Sequence, residues 1–99
     1  MEFVEELEKN RRFVLAQQVL RSATSVGAGI RESQHAESRA DFIHKGKIAA
    51  KEAEETDYWL MLCQHAPNYP NPSPIVFDTL QQVRRLLARI ILTSKANST

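Results

Sequence analysis

Glu32 and His35 stand three residues apart, the Glu-x-x-His spacing with which helical bundles ligate di-iron centres. Such a centre needs that motif on two helices and a further Glu from each of two others. The only second motif, Asp41-Phe42-Ile43-His44, lies just across a polar turn, and the last third of the chain offers only Asp78. Both motifs also fall near predicted helix ends rather than mid-bundle. No metal and no cofactor are expected, and His35 reads as a solvated turn residue. Cys63 is the single cysteine, so no internal disulfide can form. A cysteine nucleophile needs a base and an orienting group. His65 is two residues away on a predicted helix and points to another face. Cys63 therefore reads as a small buried hydrophobe. No residue set amounts to an active site, and a non-enzymatic protein is expected.

The remaining chemistry is charge. Arg39, His44, Lys45, Lys47 and Lys51 make one segment basic, and Glu52, Glu54, Glu55 and Asp57 make the next acidic. On one helix this order opposes the helix dipole, which favours acids first. Something else must compensate. Folding two helices about a turn near Ala36 brings Arg31 level with Asp41. It brings Arg21 within a turn of Glu52 and Glu55. An inter-helix ion-pair network follows, with Arg21 and Glu55 as its strongest members. His44, Lys47 and Lys51 share a face with no evident acidic partner. From Ala66 onward Arg84, Arg85, Arg89 and Lys95 face Asp78 alone. Two readings of these bases stand. The arginines could pair with Glu2, Glu5, Glu6 and Glu8 if the first and last helices are neighbours. Alternatively, His44, Lys47, Lys51, Arg84, Arg85 and Arg89 form a phosphate-binding surface for RNA or DNA.

The elements that position these residues are helical. At 99 residues the chain is one domain, spanning 1–99, with a modest core. Hydrophobic content of 42% with 25% charged residues suits a globular protein, and a net charge of +1 gives no overall pull toward polyanions. The uncharged stretch from Gln64 to Phe77 holds all four prolines and cannot span a membrane. The acidic N-terminus does not resemble a signal peptide, so a cytoplasmic location is expected. Asn97-Ser98-Thr99 matches a glycosylation sequon by chance in that setting.

Apolar spacing predicts helices over about 2–10, 13–33, 39–65 and 75–94. In the second, Ala16, Leu20, Ala23, Gly27 and Ile30 form one stripe, and Leu15, Val19, Ser22 and Val26 another. A face that wide implies two neighbours. Ser38 with Asp41 three residues later marks the start of the third helix. Its stripe is Phe42, Gly46, Ala49, Ala53, Thr56, Leu60 and Cys63. Gly27, Gly29, Gly46, Ala49 and Ala53 form a predicted close-packing seam, because small residues let backbones approach. Ser73-Pro74 suits the start of the last helix, whose stripe is Val76, Leu80, Val83, Leu87 and Ile90. Residues 95–99 read as a frayed tail. Trp59 is expected in the bundle or at a subunit contact, Tyr58 outward, and Tyr69 in a surface loop. Short connections give an all-α, antiparallel up-down four-helix bundle with a short first helix.

Residues 21–60 resemble a bacterial family known as four-helix bundle proteins, whose founding members are encoded in intervening sequences of 23S ribosomal RNA genes. The resemblance rests on Arg21, Ser22, Thr24, Ser25, Gly27, Ala28, Ile30 and Glu32. It continues through Ser38, Asp41, Phe42, Ile43 and Lys45 to Lys51, Glu52, Ala53, Glu55, Thr56, Tyr58, Trp59 and Leu60. Ala23 stands where the family usually has Gly, Gly29 where it has Asn, and Gly46 where it has a larger apolar residue. Gly46 is thus expected to leave a cavity. The resemblance implies a left-handed up-down bundle that assembles as a homo-oligomeric ring, commonly a pentamer. A related accessory protein of diversity-generating retroelements binds a reverse transcriptase and nucleic acid. The combined expectation is a self-associating bundle that serves nucleic acid or a nucleic-acid enzyme. The alternative is a protein-interaction scaffold without nucleic acid.

Overall fold

The computed structural model describes residues 2–96. Four helices follow one another: α1 (Glu2–Lys9), α2 (Phe13–Gln34), α3 (Arg39–His65) and α4 (Pro74–Ala96). The bounds expected from sequence hold to within two residues. Lys95 and Ala96 belong to α4 rather than to a frayed tail, and 97–99, with the sequon, lie outside the described residues.

The helix ends follow local chemistry. Ser38 accepts the Asp41 N–H at 3.0 Å, and the Asp41 carboxylate accepts the Glu37 N–H at 3.2 Å. Two backbone donors at the start of α3 are thereby satisfied. Pro74 opens α4, where its missing N–H costs nothing. Arg11, in the α1–α2 turn, has φ +58°, which favours glycine or asparagine.

The helices pack in chain order, α1 on α2, α2 on α3 and α3 on α4, into a body of 51 × 20 × 16 Å. Among the described residues α1 and α4 make no close backbone approach. This corrects the expected α1–α4 pairing. The eight residues of α1 span only about 12 Å at 1.5 Å per residue. That leaves the α1–α4 side of the bundle open as an apolar groove of about 460 Å³, with Phe3, Val26, Leu60, Ile75 and Val83 among its walls.

The α2–α3 contact is the tightest. Gly29 lies against Ala49 so closely that a Cβ there would sit 2.9 Å from the Ala49 Cβ. Ala49 and Ala53 are fully buried. Below them, the buried Ser22 hydroxyl donates to the Gln18 carbonyl at 2.9 Å and lies 2.9 Å from Thr56 Oγ1. The pair is satisfied without water, as a buried polar contact requires.

Two seam residues behave differently. Gly27 is exposed, and nothing lies within 4 Å of where its Cβ would be. It has no part in close packing. Gly46 is buried, but the Ile91 side chain fills the space above it, 3.4 Å from a notional Cβ. The cavity expected there is occupied from α4. On α2 the buried stripe is Leu15, Ala16, Val19, Ser22, Val26, Gly29 and Ser33, whereas Leu20 is largely exposed. The other stripe, through Leu20, Ala23 and Gly27, has no partner along most of its length because α1 is short.

Candidate nucleic-acid interface

The charged residues of α3 divide at Lys51. The acids beyond it are occupied from both sides. Arg21 of α2 reaches Glu52 at 3.3 Å and forms a closer hydrogen-bonded ion pair with Glu55. Arg84 of α4 donates from Nε to Glu54 at 2.9 Å and approaches Asp57 at 3.5 Å. Gln81 joins this second cluster, accepting from Arg84 at 2.8 Å and donating to Asp57 at 3.1 Å. The hydrogen bond from Arg21 holds the Glu55 carboxyl below the usual carboxylate range, and the Arg21 guanidinium rises in turn. These contacts compensate the acidic half of α3 that its dipole disfavours.

Two expectations need correction. Arg84 does not belong to a free phosphate-binding surface, because Glu54 and Asp57 hold it. Arg31 makes no ion pair with Asp41, whose carboxylate caps the α3 entry instead. Both line an open polar cleft at the α2–α3 turn together with Glu32, His35, Glu37 and Lys45. Lys45 approaches Glu32 at 3.9 Å across it. Among the described residues no group of three or more His, Cys, Asp or Glu could hold a metal ion. Burial raises the Cys63 thiol pKa, which disfavours the reactive thiolate.

The basic half is different. His44, Lys47 and Lys51 are exposed on one stripe of α3. Neither lysine has an acidic partner among the described residues. Lys51 sits at the rim of a shallow cleft between α3 and α4, beside Glu54, Arg84, Ala88 and Leu92. Lys47 lies within hydrogen-bonding reach of Lys95 and lowers its pKa. The end of α4 thus adds a further cation to this face. Arg85 and Arg89, one turn apart on α4, are exposed and make no ion pair among the described residues. They do not meet the glutamates of α1. The candidate surface therefore comprises His44, Lys47 and Lys51 with Arg85 and Arg89.

The aromatic residues separate by exposure. Tyr58 is 59% exposed, and Trp59 beside it is half-buried. Their rings meet edge to face, with centroids 5.0 Å apart at 70°. Tyr69 is half-buried, with the Arg12 guanidinium 4.1 Å over its ring. That contact ties the α1–α2 turn to the proline loop, a pairing that spacing gave no means to foresee. The Arg84 cluster was foreseeable in part, since Glu54/Asp57 and Gln81/Arg84 each share a face at i, i+3.

This charge layout sits on a known architecture. The model of the family described as 23S rRNA-intervening sequence protein matches residues 1–91. The chain belongs to that family. A solved structure of a protein of unknown function from the S23 ribosomal protein family of Bacteroides thetaiotaomicron is similar, with a TM-score of 0.77 and 39% identity. The alignment covers 91% of this chain and 85% of that one. No curated protein matches this chain. For this member of the 23S rRNA-intervening sequence family, no helix is long and apolar enough to cross a membrane, among the described residues.

Proposed function

We propose that this chain is a non-enzymatic, self-associating bundle that binds nucleic acid through the basic surface of α3 and α4. One observation carries the reading. Glu52, Glu54, Glu55 and Asp57 of α3 are engaged by Arg21 and Arg84, each arginine shared between two carboxylates, while Lys47, Lys51, Arg85 and Arg89 carry no acidic partner among the described residues. Cations left over after internal pairing attract polyanions, and a groove or face of one sign concentrates that field. The net charge of +1 hides this, because the compensating acids lie elsewhere. The family's link to a ribosomal RNA intervening sequence agrees with a role beside RNA. Replacing Lys47, Lys51, Arg85 and Arg89 together by Glu should abolish the mobility shift of an RNA at low salt, with helicity unchanged by circular dichroism. An RNA that binds the variant as it binds the native protein would sink the proposal.

Self-association rests on uncovered apolar surface. Val14 and Ile75 are each 75% exposed and Leu92 68%. In a ring, commonly a pentamer in this kind of bundle, each basic face is repeated around an axis and the local field grows.

The open groove between α1 and α4 favours a second reading, a scaffold that holds another polypeptide without nucleic acid. A polypeptide that remains bound after nuclease treatment, with no RNA affinity in the purified protein, would favour the scaffold.

A further inference from the structure

The outer stripe of α3 carries more than charge. At 100° per residue, Lys47, Lys51 and Tyr58 fall within about 40° of one another around the helix. Along the axis, Lys47 to Lys51 is about 6 Å and Lys51 to Tyr58 about 10 Å. All three side chains are exposed. Between the cations and the ring lie only Glu54 and Glu55 on this side, and each is drawn aside by an arginine of a neighbouring helix. A polyanion crossing that interval meets carboxylates that are partly screened, each sharing its arginine with a second acid, Asp57 or Glu52.

Tyr58 is also held in place. Its ring packs edge to face with the half-buried Trp59, so its orientation is restricted before any ligand arrives. A protruding aromatic with restricted motion loses little entropy on stacking. Its partner must offer an open π-face. Bases inside a duplex do not, because their faces are covered by their neighbours. Unpaired bases do, and their stacking on aromatic side chains is the common device of single-strand binding.

We propose that this stripe binds a single strand, with backbone phosphates on Lys47 and Lys51 and an unpaired base stacked on Tyr58. The proposal rests on the nucleic-acid reading above and narrows its substrate class. It adds a residue that charge alone does not select.

The test uses fluorescence anisotropy with a short labelled oligouridylate and a blunt RNA duplex of equal length, at one low salt concentration. The native protein should bind the single strand more tightly than the duplex. Tyr58→Ala should weaken single-strand binding about tenfold and leave duplex binding unchanged. Tyr58→Leu, which keeps apolar bulk at the site, should show the same loss, and Tyr58→Phe should restore affinity. Single-strand binding unchanged in both Tyr58→Ala and Tyr58→Leu, yet lost in Lys47→Glu/Lys51→Glu, would overturn the stacking proposal and leave the basic-surface reading standing. Equal affinity for strand and duplex would also overturn it. No binding of either RNA by the native protein would overturn both.

Discussion

Arg21 shows how a single side chain sets register. It spans from α2 to two carboxylates one turn apart on α3, Glu52 and Glu55. This pairing was legible in the sequence, because a turn of known position fixes which residues of adjacent antiparallel helices lie level. Arg31 and Asp41 were level by the same argument. They did not pair because Asp41 had a nearer use, the open backbone N–H of Glu37. Local capping competes with tertiary pairing close to a turn. The Arg21–Glu55 contact is solvent-exposed, so its effect on stability is small. Its pH dependence has a definite sign. Glu55 has its folded pKa lowered from 4.5 by the Arg21 hydrogen bond. The stability it confers is present above the unfolded value and is lost as pH falls through the folded one. In urea denaturation, Arg21→Ala should be less stable than the native protein at neutral pH. The difference should shrink below about pH 4.5, where the carboxyl protonates. A gap that stays constant into acid would show that the ion pair is not its source.

The elements illustrate what periodicity can and cannot decide. The α3 stripe from Gly46 through Cys63 is buried as spacing implies, since α3 has neighbours on both sides. On α2 two stripes were equally periodic. Which one is buried depends on how far α1 extends, and no local pattern encodes that. Gly27 and Gly29 fall on opposite sides of this ambiguity. Both pay the helix-propensity cost of glycine, but only Gly29 recovers it by close approach to Ala49. Gly27→Ala should therefore stabilise the protein by up to about 1 kcal/mol. Gly29→Ala should destabilise it, because its Cβ would meet the Ala49 Cβ and backbone within 3.3 Å. Thermal unfolding of the two variants checks this directly, with opposite shifts in Tm expected. A Gly27→Ala variant that melts lower would mean that this face packs against something in solution. The basic surface was legible as residues but not as a surface. Arg84, Arg85 and Arg89 look alike in sequence. Only the rotation of α4 on α3 turns Arg84 inward to Glu54 and Asp57 and leaves the other two outside.

For the whole molecule, the open α1–α4 side and the sorted charges bear on assembly. A body of 51 × 20 × 16 Å is elongated for 99 residues and leaves much apolar surface uncovered. Association should cover part of it. The native mass in solution, measured by light scattering after nuclease treatment, should correspond to several chains. A strict monomer would remove the ring and with it the multiplication of the basic face. The central claim concerns that face, and its most direct test is the salt dependence of RNA binding. For a single strand, the logarithm of affinity should fall linearly with the logarithm of salt, by roughly 0.7 per phosphate contact. Lys47→Glu/Lys51→Glu should lower affinity at every salt concentration and make the slope shallower by about 1.4, the share of two contacts. An affinity and slope that the double variant leaves unchanged, or no RNA binding at low salt, would contradict the account.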